Sequence, residues 1–355
     1  MEWRNRFTSS LDILKFFAMS SYVNYKFIDM SDIKPILHNS NNRKWNMKNI
    51  FRFVCYFPRV ISDLIILSIK ISLAMIVASF KIVLPTPEKN LIGETVLITG
   101  AGRGIGRELA IQLGLMGCIV ICWDVNIDAN LATMSAVSKN GGEVYGFVLD
   151  VSKRLEVNET LREMTKIGIP QVSILINNAA ILYHRSFLNH SSDDIERTFN
   201  VNVFSHFWTI EGILPSMLQR GKGHIVAICS MCGIYGVSQK VPYCSSKFAV
   251  RGLMEALYEE IRRNPSKPDI HFTTIYPFYV DTGLAKDPKY RFPYIFGIVR
   301  PEYAACEIIH AIRKNYTEYS IPRCLLSLNA INRIIPESAM RLILDFLANV
   351  DRRII

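Results

Sequence analysis

A tyrosine and a lysine lie four residues apart in the stretch VPYCSSKFAV, at Tyr243 and Lys247. The stretch is typical of a helix, and residues four apart on a helix share one face. A cation beside a phenol favours the phenolate and lowers a pKa that is ordinarily near 10. The spacing therefore predicts a tyrosine that accepts a proton near neutral pH, as a general base does.

Other polar side chains lie in or at the ends of segments whose folding could bring them close to Tyr243. Ser230 ends the apolar run GHIVAICS, thirteen residues before Tyr243, and Asn202 lies in the helical stretch NVNVFSHFW. Asn177 and Asn178 end the apolar run VSILINN. Each residue alone commonly bonds only nearby backbone. Together with Tyr243 and a glycine-rich turn that lies upstream in the chain, they predict a hydride-transfer site.

A glycine-rich turn precedes these residues in the chain. In TVLITGAGRGIG, an apolar run ending at Thr99 leads into Gly100, Gly104 and Gly106, and a helix-type segment follows. The regular G-x-G-x-x-G does not fit, because Ile105 interrupts it. Glycine permits a tight turn and lets the backbone approach a pyrophosphate at a helix N-terminus. The turn therefore predicts a dinucleotide site.

The residue after the next strand-type run selects between the two nicotinamide cofactors. Asp124 lies 18 residues past Gly106. A carboxylate there accepts hydrogen bonds from the ribose hydroxyls of NAD and repels the 2′-phosphate of NADP. Arg103 favours the opposite choice, because a guanidinium can hold that phosphate. We expect NAD, with NADP the alternative.

Strand-type and helix-type segments alternate through the rest of the chain. This alternation is typical of a parallel sheet covered on both faces. The sequence predicts an α/β fold with a doubly wound, Rossmann-like parallel sheet. We assign it to a single catalytic domain at residues 90–322.

Over residues 92–322 the chain resembles the short-chain dehydrogenase/reductase family. The residues that carry the resemblance lie in family order and spacing: Thr99 to Gly106, Asp150, Asn177 to Ala179, Asn202, Ser230, Tyr243 and Lys247. The resemblance implies that Tyr243 accepts the proton, Ser230 orients the substrate oxygen, Lys247 binds the nicotinamide ribose and Asn202 anchors a water. It also implies a set of cofactor contacts: Thr99, Gly100, Arg103, Gly104, Ile105, Gly106, Asp124, Asp150, Val151, Asn178, Ala179, Tyr243, Lys247, Pro277, Val280 and Thr282. One departure is Ala180, where the family has glycine, so the loop at this position must form without glycine's conformational freedom.

Within the family, the chain looks most like the membrane-associated branch of retinol dehydrogenases and 17-beta-hydroxysteroid dehydrogenases. This implies a retinoid, steroid or long-chain lipid alcohol as substrate, and as alternatives an NADPH-dependent ketone reductase or a non-catalytic membrane or lipid-droplet scaffold. Aromatic residues after Thr282 could form an apolar lid or only pack locally: Tyr290, Phe292, Tyr294 and Phe296. A homodimer is a further family-level expectation.

The N-terminal part of the chain is basic and contains a long apolar segment. Residues 1–90 carry 13 Lys and Arg against 6 Asp and Glu, which is +7 of the total net charge of +10. After a polar extension (1–50), residues 51–85 are long enough to cross a bilayer. Asp63, Lys70 and Lys81 fall on one helical stripe, which favours a segment lying in the membrane interface, or a hairpin with residues 50–58, over a single span. A helix packed on the soluble domain is a third possibility.

The basic bias fits an anionic membrane surface better than nucleic acid. The positive-inside rule, applied to a full span, would place the catalytic domain across the membrane. We expect instead a cytosol-facing domain on the endoplasmic reticulum or a lipid droplet, because the cofactor pool is cytosolic. Residues 323–355 are expected to form an amphipathic helical tail with a second membrane contact.

Eight cysteines are scattered and favour a reducing compartment over a disulfide framework. Cys229 and Cys232 form a C-x-x-C pair, for which packing is favoured over a redox role. Because a structural zinc site needs a second such pair, we expect no metal site.

Overall fold

The structure is a computed structural model that describes residues 47–83, 87–284, 297–332 and 335–347. It divides into two compact units, Met1–Pro85 and Thr86–Ile355. Residues 1–46 of the expected N-terminal extension, and the four aromatic residues of the expected lid, lie outside the described residues.

The described part of the first unit is one long helix, α1 (Met47–Val83), which contains Pro58. Its segment Tyr56–Val77 has a mean hydropathy of 2.3 and is long and apolar enough to cross a membrane. The apolar side chains described along it are exposed within the unit. The predicted hairpin between residues 50–58 and the apolar segment is wrong, because both lie in this uninterrupted helix.

Seven parallel strands among the described residues form one sheet in the order β3-β2-β1-β4-β5-β6-β7. The strands are β1 (Thr95–Thr99), β2 (Ile119–Asp124), β3 (Glu143–Val148), β4 (Ile174–Asn177), β5 (Lys222–Ile228), β6 (Asp269–Pro277) and β7 (Glu318–Ile321). This confirms the predicted doubly wound, Rossmann-like class.

Helices follow most strands and cover both faces of the sheet, as parallel connections require. The helices are α2 (Gly104–Leu115), α3 (Ile127–Lys139), α4 (Arg154–Lys166), α5 (Ser192–Phe199), α6 (Ser205–Arg220), α7 (Val241–Arg262), α8 (Pro301–Arg313), α9 (Cys324–Asn332) and α10 (Glu337–Leu347). A π-helical segment, Asn200–Phe204, joins α5 to α6. Short 3₁₀ turns occur at Phe187–Asn189 and Met231–Gly233.

The apolar strands are explained by burial on both faces of the sheet. On β1, Val96 and Ile98 pack in the cluster that includes α2, α3 and α8. Leu97, between them, packs in the opposite cluster with α4, α6 and α7. Because alternate residues point to opposite faces, a strand covered on both sides must be apolar throughout.

The strand order reverses at β1, whose neighbours are β2 on one side and β4 on the other. In an open parallel sheet, this reversal leaves a crevice beyond the carboxyl ends of the strands. Thr99, Asp124 and Asn177 are the last residues of β1, β2 and β4. The fold therefore brings these polar residues to one edge.

Candidate active site

The glycine turn leads from β1 into the N-terminus of α2. Gly100 and Gly104 have φ angles of +66° and +56°, a region that side chains with a Cβ rarely adopt. A Cβ on Gly106 would lie 2.1 Å from the carbonyl oxygen of Gly100. The backbone at Gly106 thus lies close to the backbone at Gly100. The turn leads into the N-terminus of α2, where an anion is favoured.

Hydrogen bonds tie this turn to the end of β4. The Thr99 hydroxyl accepts hydrogen bonds from the backbone N–H of Asn178 at 3.0 Å and of Ala179 at 3.1 Å. The Asn178 side-chain amide donates to the carbonyls of Thr99 and Gly100, both at 3.0 Å. We call these four bonds the Thr99–Asn178 clasp. The clasp fixes the two strand ends that border the crevice.

The Asp124 carboxylate is held by backbone groups on both oxygens. Its Oδ2 accepts from the Gly102 N–H at 2.7 Å, and its Oδ1 accepts from the Asn126 N–H at 2.8 Å. These bonds orient the carboxylate beside the glycine turn. Asp150 is oriented similarly, because its Oδ1 accepts from the backbone and hydroxyl of Ser152.

A cavity of about 290 Å³ lies at this edge of the sheet. Most of the residues expected to contact cofactor or substrate line it: Gly100, Arg103, Gly104, Ile105, Asp124, Asp150, Val151, Asn178, Ala179, Ser230, Tyr243, Lys247, Pro277, Val280 and Thr282. Thr99, Gly106 and Asn202 are not among the lining residues; Thr99 and Gly106 shape the turn behind it. The glycine turn, the helix N-terminus and the oriented carboxylate fit a dinucleotide.

Sequence reasoning missed several residues that also line the cavity, among them Trp123, Leu149 and Cys232. Trp123 immediately precedes Asp124 in β2, and Cys232 follows Ser230 by two positions. Their nearness in sequence to predicted site residues was the available signal. The sequence could not show which neighbours of the predicted site residues line the cavity, because the tertiary fold determines this.

Ser230 and Tyr243 meet in the cavity. The Ser230 Oγ accepts a hydrogen bond from the Cys232 N–H at 3.1 Å, and Ser230 and Tyr243 both line the cavity. Helix α7 positions Tyr243 in its first turn, where Pro242 occupies a position that proline favours. The two hydroxyl groups are thus presented together.

The expectation that Lys247 lowers the pKa of Tyr243 is wrong for this structure. Burial is the largest influence and raises the pKa of the Tyr243 phenol well above its usual range, while the hydrogen bond with Ser230 lowers it. The Lys247 ammonium lies 5.7 Å from the centre of the Tyr243 ring and donates to the Ile228 carbonyl at 2.9 Å. Burial also lowers the pKa of Lys247. Desolvation therefore outweighs the attraction that the helical spacing suggested.

Asn202 lies in the π-helical segment and is fully buried. Its Oδ1 accepts from the Ile181 N–H at 2.8 Å, and its Nδ2 donates to the Ile181 carbonyl at 3.0 Å and to the Ser246 hydroxyl at 3.1 Å. The side chain therefore links the loop after β4 to α7. That it anchors a water remains a prediction.

The alanine at position 180 is accommodated without left-handed backbone. Ala180 lines the cavity and does not have a positive φ. Glycine's extra freedom is therefore not needed at this position.

Residues 94–290 match the family model described as short chain dehydrogenase. Epidermal retinol dehydrogenase 2 of Mus musculus is 37% identical over 266 residues, covering 75% of this chain and 85% of the relative. 17-beta-hydroxysteroid dehydrogenase 13 of Homo sapiens is 32% identical over 280 residues, covering 79% and 92%.

A solved short chain dehydrogenase/reductase from Burkholderia phymatum, in complex with NAD, has the same fold. It matches with a TM-score of 0.62 at 24% identity, covering 69% of this chain and 94% of the other. The protein is an NAD(P)-dependent oxidoreductase that acts on CH–OH groups, and the chain belongs to the short-chain dehydrogenase/reductase family, in the branch that contains these retinol and 17-beta-hydroxysteroid dehydrogenases.

Proposed function

We propose that this protein transfers hydride between NAD and a lipophilic alcohol or ketone. The observation that carries the proposal is that Ser230, Tyr243 and Lys247 line the same cavity as the glycine turn and Asp124. The candidate proton acceptor and the candidate dinucleotide site therefore share one crevice. The alternative of a non-catalytic scaffold leaves this convergence unexplained.

In the proposed mechanism, the substrate hydroxyl bonds to Ser230 and Tyr243. Ser230 orients the oxygen, and Tyr243 Oη accepts the hydroxyl proton during oxidation or returns it during reduction. Bound NAD supplies the hydride acceptor and, in its oxidised form, a positive charge that favours the phenolate. Because burial alone raises the pKa of Tyr243, we expect proton acceptance to depend on added positive charge and on the Ser230 hydrogen bond.

Tyr243→Phe tests the catalytic proposal. Loss of a general base typically costs a factor of about 10²–10⁴ in rate, so we expect turnover to fall by that amount with NAD affinity nearly intact. Tyr145→Phe is the matched control, because the Tyr145 hydroxyl bonds Glu143 and does not line the cavity. Near-normal turnover of Tyr243→Phe would refute the assigned role.

The substrate is proposed to be a retinoid, a steroid or a long-chain lipid alcohol. Apolar residues line the cavity, including Ile181, Leu182, Phe278 and Leu284. The names of the two relatives reported above point to retinol and 17-beta-hydroxysteroids. A cofactor-absorbance assay against retinol, steroid and fatty-alcohol panels tests this class. Absence of turnover with all three panels would favour the scaffold alternative.

NAD is proposed over NADP because of Asp124. Two unit charges 4 Å apart interact by about 4 kcal/mol at an effective dielectric constant of about 20, so the carboxylate should strongly disfavour a 2′-phosphate. Arg103 also lines the cavity and is the observation that favours an NADPH-dependent ketone reductase. We expect Asp124→Asn to shift the ratio of Kd values towards NADP by about tenfold or more. Tighter NADP binding by the unaltered protein would reverse the assignment.

The proposal extends to membrane attachment through α1. The exposed apolar surface of Tyr56–Val77 supports it. We propose a cytosol-facing catalytic domain on the endoplasmic reticulum or a lipid droplet, and a homodimer.

A further inference from the structure

Three side chains are joined by hydrogen bonds toward the amino ends of β5 and β6, whereas the cavity lies at the carboxyl ends of the strands. Lys89 Nζ lies 2.7 Å from His224 Nδ1, and His224 Nε2 lies 2.8 Å from the Thr273 hydroxyl. We call Lys89, His224 and Thr273 the lysine triad. An amine, an imidazole and a group that orients the imidazole are thus within hydrogen-bond reach, which is the arrangement of an activated nucleophile.

The directions of the hydrogen bonds fix the tautomer of His224. The Thr273 hydroxyl donates to the Tyr316 carbonyl at 2.6 Å. Its oxygen can therefore only accept from His224, so Nε2 carries the ring hydrogen and Nδ1 is a bare acceptor that faces Lys89. Burial is the largest influence that lowers the pKa of His224 well below its usual range, so the ring is neutral. The charge of Lys89 adds to this lowering, and its part is relieved when the amine is neutral.

Lys89 is half-buried, and its backbone is fixed on the last residue of α8. Its N–H donates to the Arg313 carbonyl at 2.9 Å, and its carbonyl accepts from Arg313 Nε at 3.2 Å. Burial lowers the pKa of the Lys89 amine to about 8, although the carboxylates of Glu94 and Asp269 raise it. The neutral amine is the nucleophilic form of lysine. Lys89 therefore presents an amine that is held in place and is partly neutral near physiological pH.

We propose that Lys89 is an acylation site, at which an acyl thioester transfers its acyl group to the side-chain amine. The Lys89 nitrogen attacks the thioester carbonyl and forms a C–N bond. His224 Nδ1 accepts the proton that the nitrogen loses, the C–S bond breaks, and the departing thiolate takes up that proton. The products are an amide on Lys89 and a free thiol, with no change in oxidation state.

The surroundings of the product favour an acyl donor over an aldehyde. An amide on Lys89 keeps one N–H that can donate to His224 Nδ1, and it removes a charge that burial disfavours. An aldehyde would form a neutral imine, which has no N–H and would leave Nδ1 without a donor. His224 is only 1% exposed, so water cannot easily replace that donor.

The test treats the purified full-length protein in detergent with acetyl-coenzyme A and maps the acetylated lysines by quantitative mass spectrometry. Lys139 is the internal control, because it is exposed at the end of α3. A pKa of about 8 rather than 10.5 makes the neutral fraction of the amine roughly 10²-fold larger at about pH 7.5. Because Lys89 is also half-buried, we expect it to be acetylated about tenfold faster than Lys139, or more.

The dependence of the rate on pH separates this role from ordinary surface labelling. Acetylation of Lys89 should level off above about pH 8, whereas that of Lys139 should continue to rise to about pH 10. His224→Leu removes the acceptor and should slow acetylation of Lys89 by about tenfold or more, while Lys139 keeps its rate. An unaltered rate at Lys89 in this variant would overturn the role given to His224.

Equal acetylation of Lys89 and Lys139, with parallel pH profiles, would overturn the inference. This comparison uses the unaltered protein, so it decides the question even if His224→Leu does not fold. Peptide mapping requires no substrate turnover, and the lysine triad lies toward the other ends of the strands from the cavity. Failure of the inference is therefore distinct from failure of the proposed function.

Discussion

Replacing Thr99 with valine tests whether the Thr99–Asn178 clasp holds the two strand ends together. Valine has nearly the same shape as threonine but lacks the hydroxyl group. Thr99 is buried, with 2% of its surface exposed, so water cannot easily take the place of that hydroxyl. The substitution therefore leaves the N–H groups of Asn178 and Ala179 without their acceptor.

The size of the effect follows from these two donors. A buried polar group left without a partner costs about 1–3 kcal/mol. Both nitrogens belong to half-buried residues, so we take the lower end of that range, about 1–1.5 kcal/mol for each donor, which gives a total of about 2–3 kcal/mol. At roughly 2–4 °C per kcal/mol for a unit of this size, the melting temperature should fall by about 4–12 °C.

Urea and thermal unfolding of the full chain in detergent would measure this loss. Thr99→Ser is the matched control, because it keeps the hydroxyl and removes only a methyl group, at a cost of about 1 kcal/mol. Thr99→Val should also bind NAD more weakly than Thr99→Ser, since the clasp fixes Gly100. If the serine variant were the less stable of the two, the clasp would not be the source of the stability.

Two further predictions concern charge and the membrane. Burial lowers the pKa of Lys89 to about 8, so between about pH 8 and 10 the unfolded chain binds more protons, and the free energy of unfolding should rise with pH. In urea titrations, Lys89→Met should reduce the rise of the free energy of unfolding with pH, whereas the exposed Lys139→Met should not. Equal slopes for the two variants would refute the lowered pKa of Lys89. Leu67→Asp with Ile71→Asp should release the protein from membranes in a flotation assay, because each charge in an apolar span costs about 2.5–3.5 kcal/mol. Leu155→Asp, at an exposed apolar position of the second unit, is the control, and unchanged flotation of the double variant would exclude α1 as the anchor.

The parts of the fold that depend on local pattern were predictable from the sequence. The alternation of strand-type and helix-type segments predicted the parallel sheet, and the glycine turn predicted the junction of β1 and α2. The spacing of Tyr243 and Lys247 placed both on one helix, and the fold brings both to the cavity. These features depend on neighbours within a few residues, so the sequence alone carries them.

Features that depend on tertiary packing were not predictable. The pKa of Tyr243 is raised because distant elements bury the phenol, and no local spacing reports that burial. The Cys229 thiol donates to the Lys247 carbonyl at 3.2 Å, a contact that exists only because the folded chain brings the end of β5 against α7. The predicted hairpin with residues 50–58 is wrong because α1 continues through Pro58, although proline usually breaks a helix.

The π-helical segment Asn200–Phe204 sets the phase of the helix that follows it. A π turn holds about one residue more than an α turn, and one residue rotates a helix by about 100°. The orientation of α6 about its own axis therefore depends on that extra residue, which keeps His206, Thr209 and Ile213 inside while Phe207 faces outward. Deletion of a single residue in this segment would rotate the buried side of α6 toward solvent. The packing of α6 therefore constrains the number of residues in the segment.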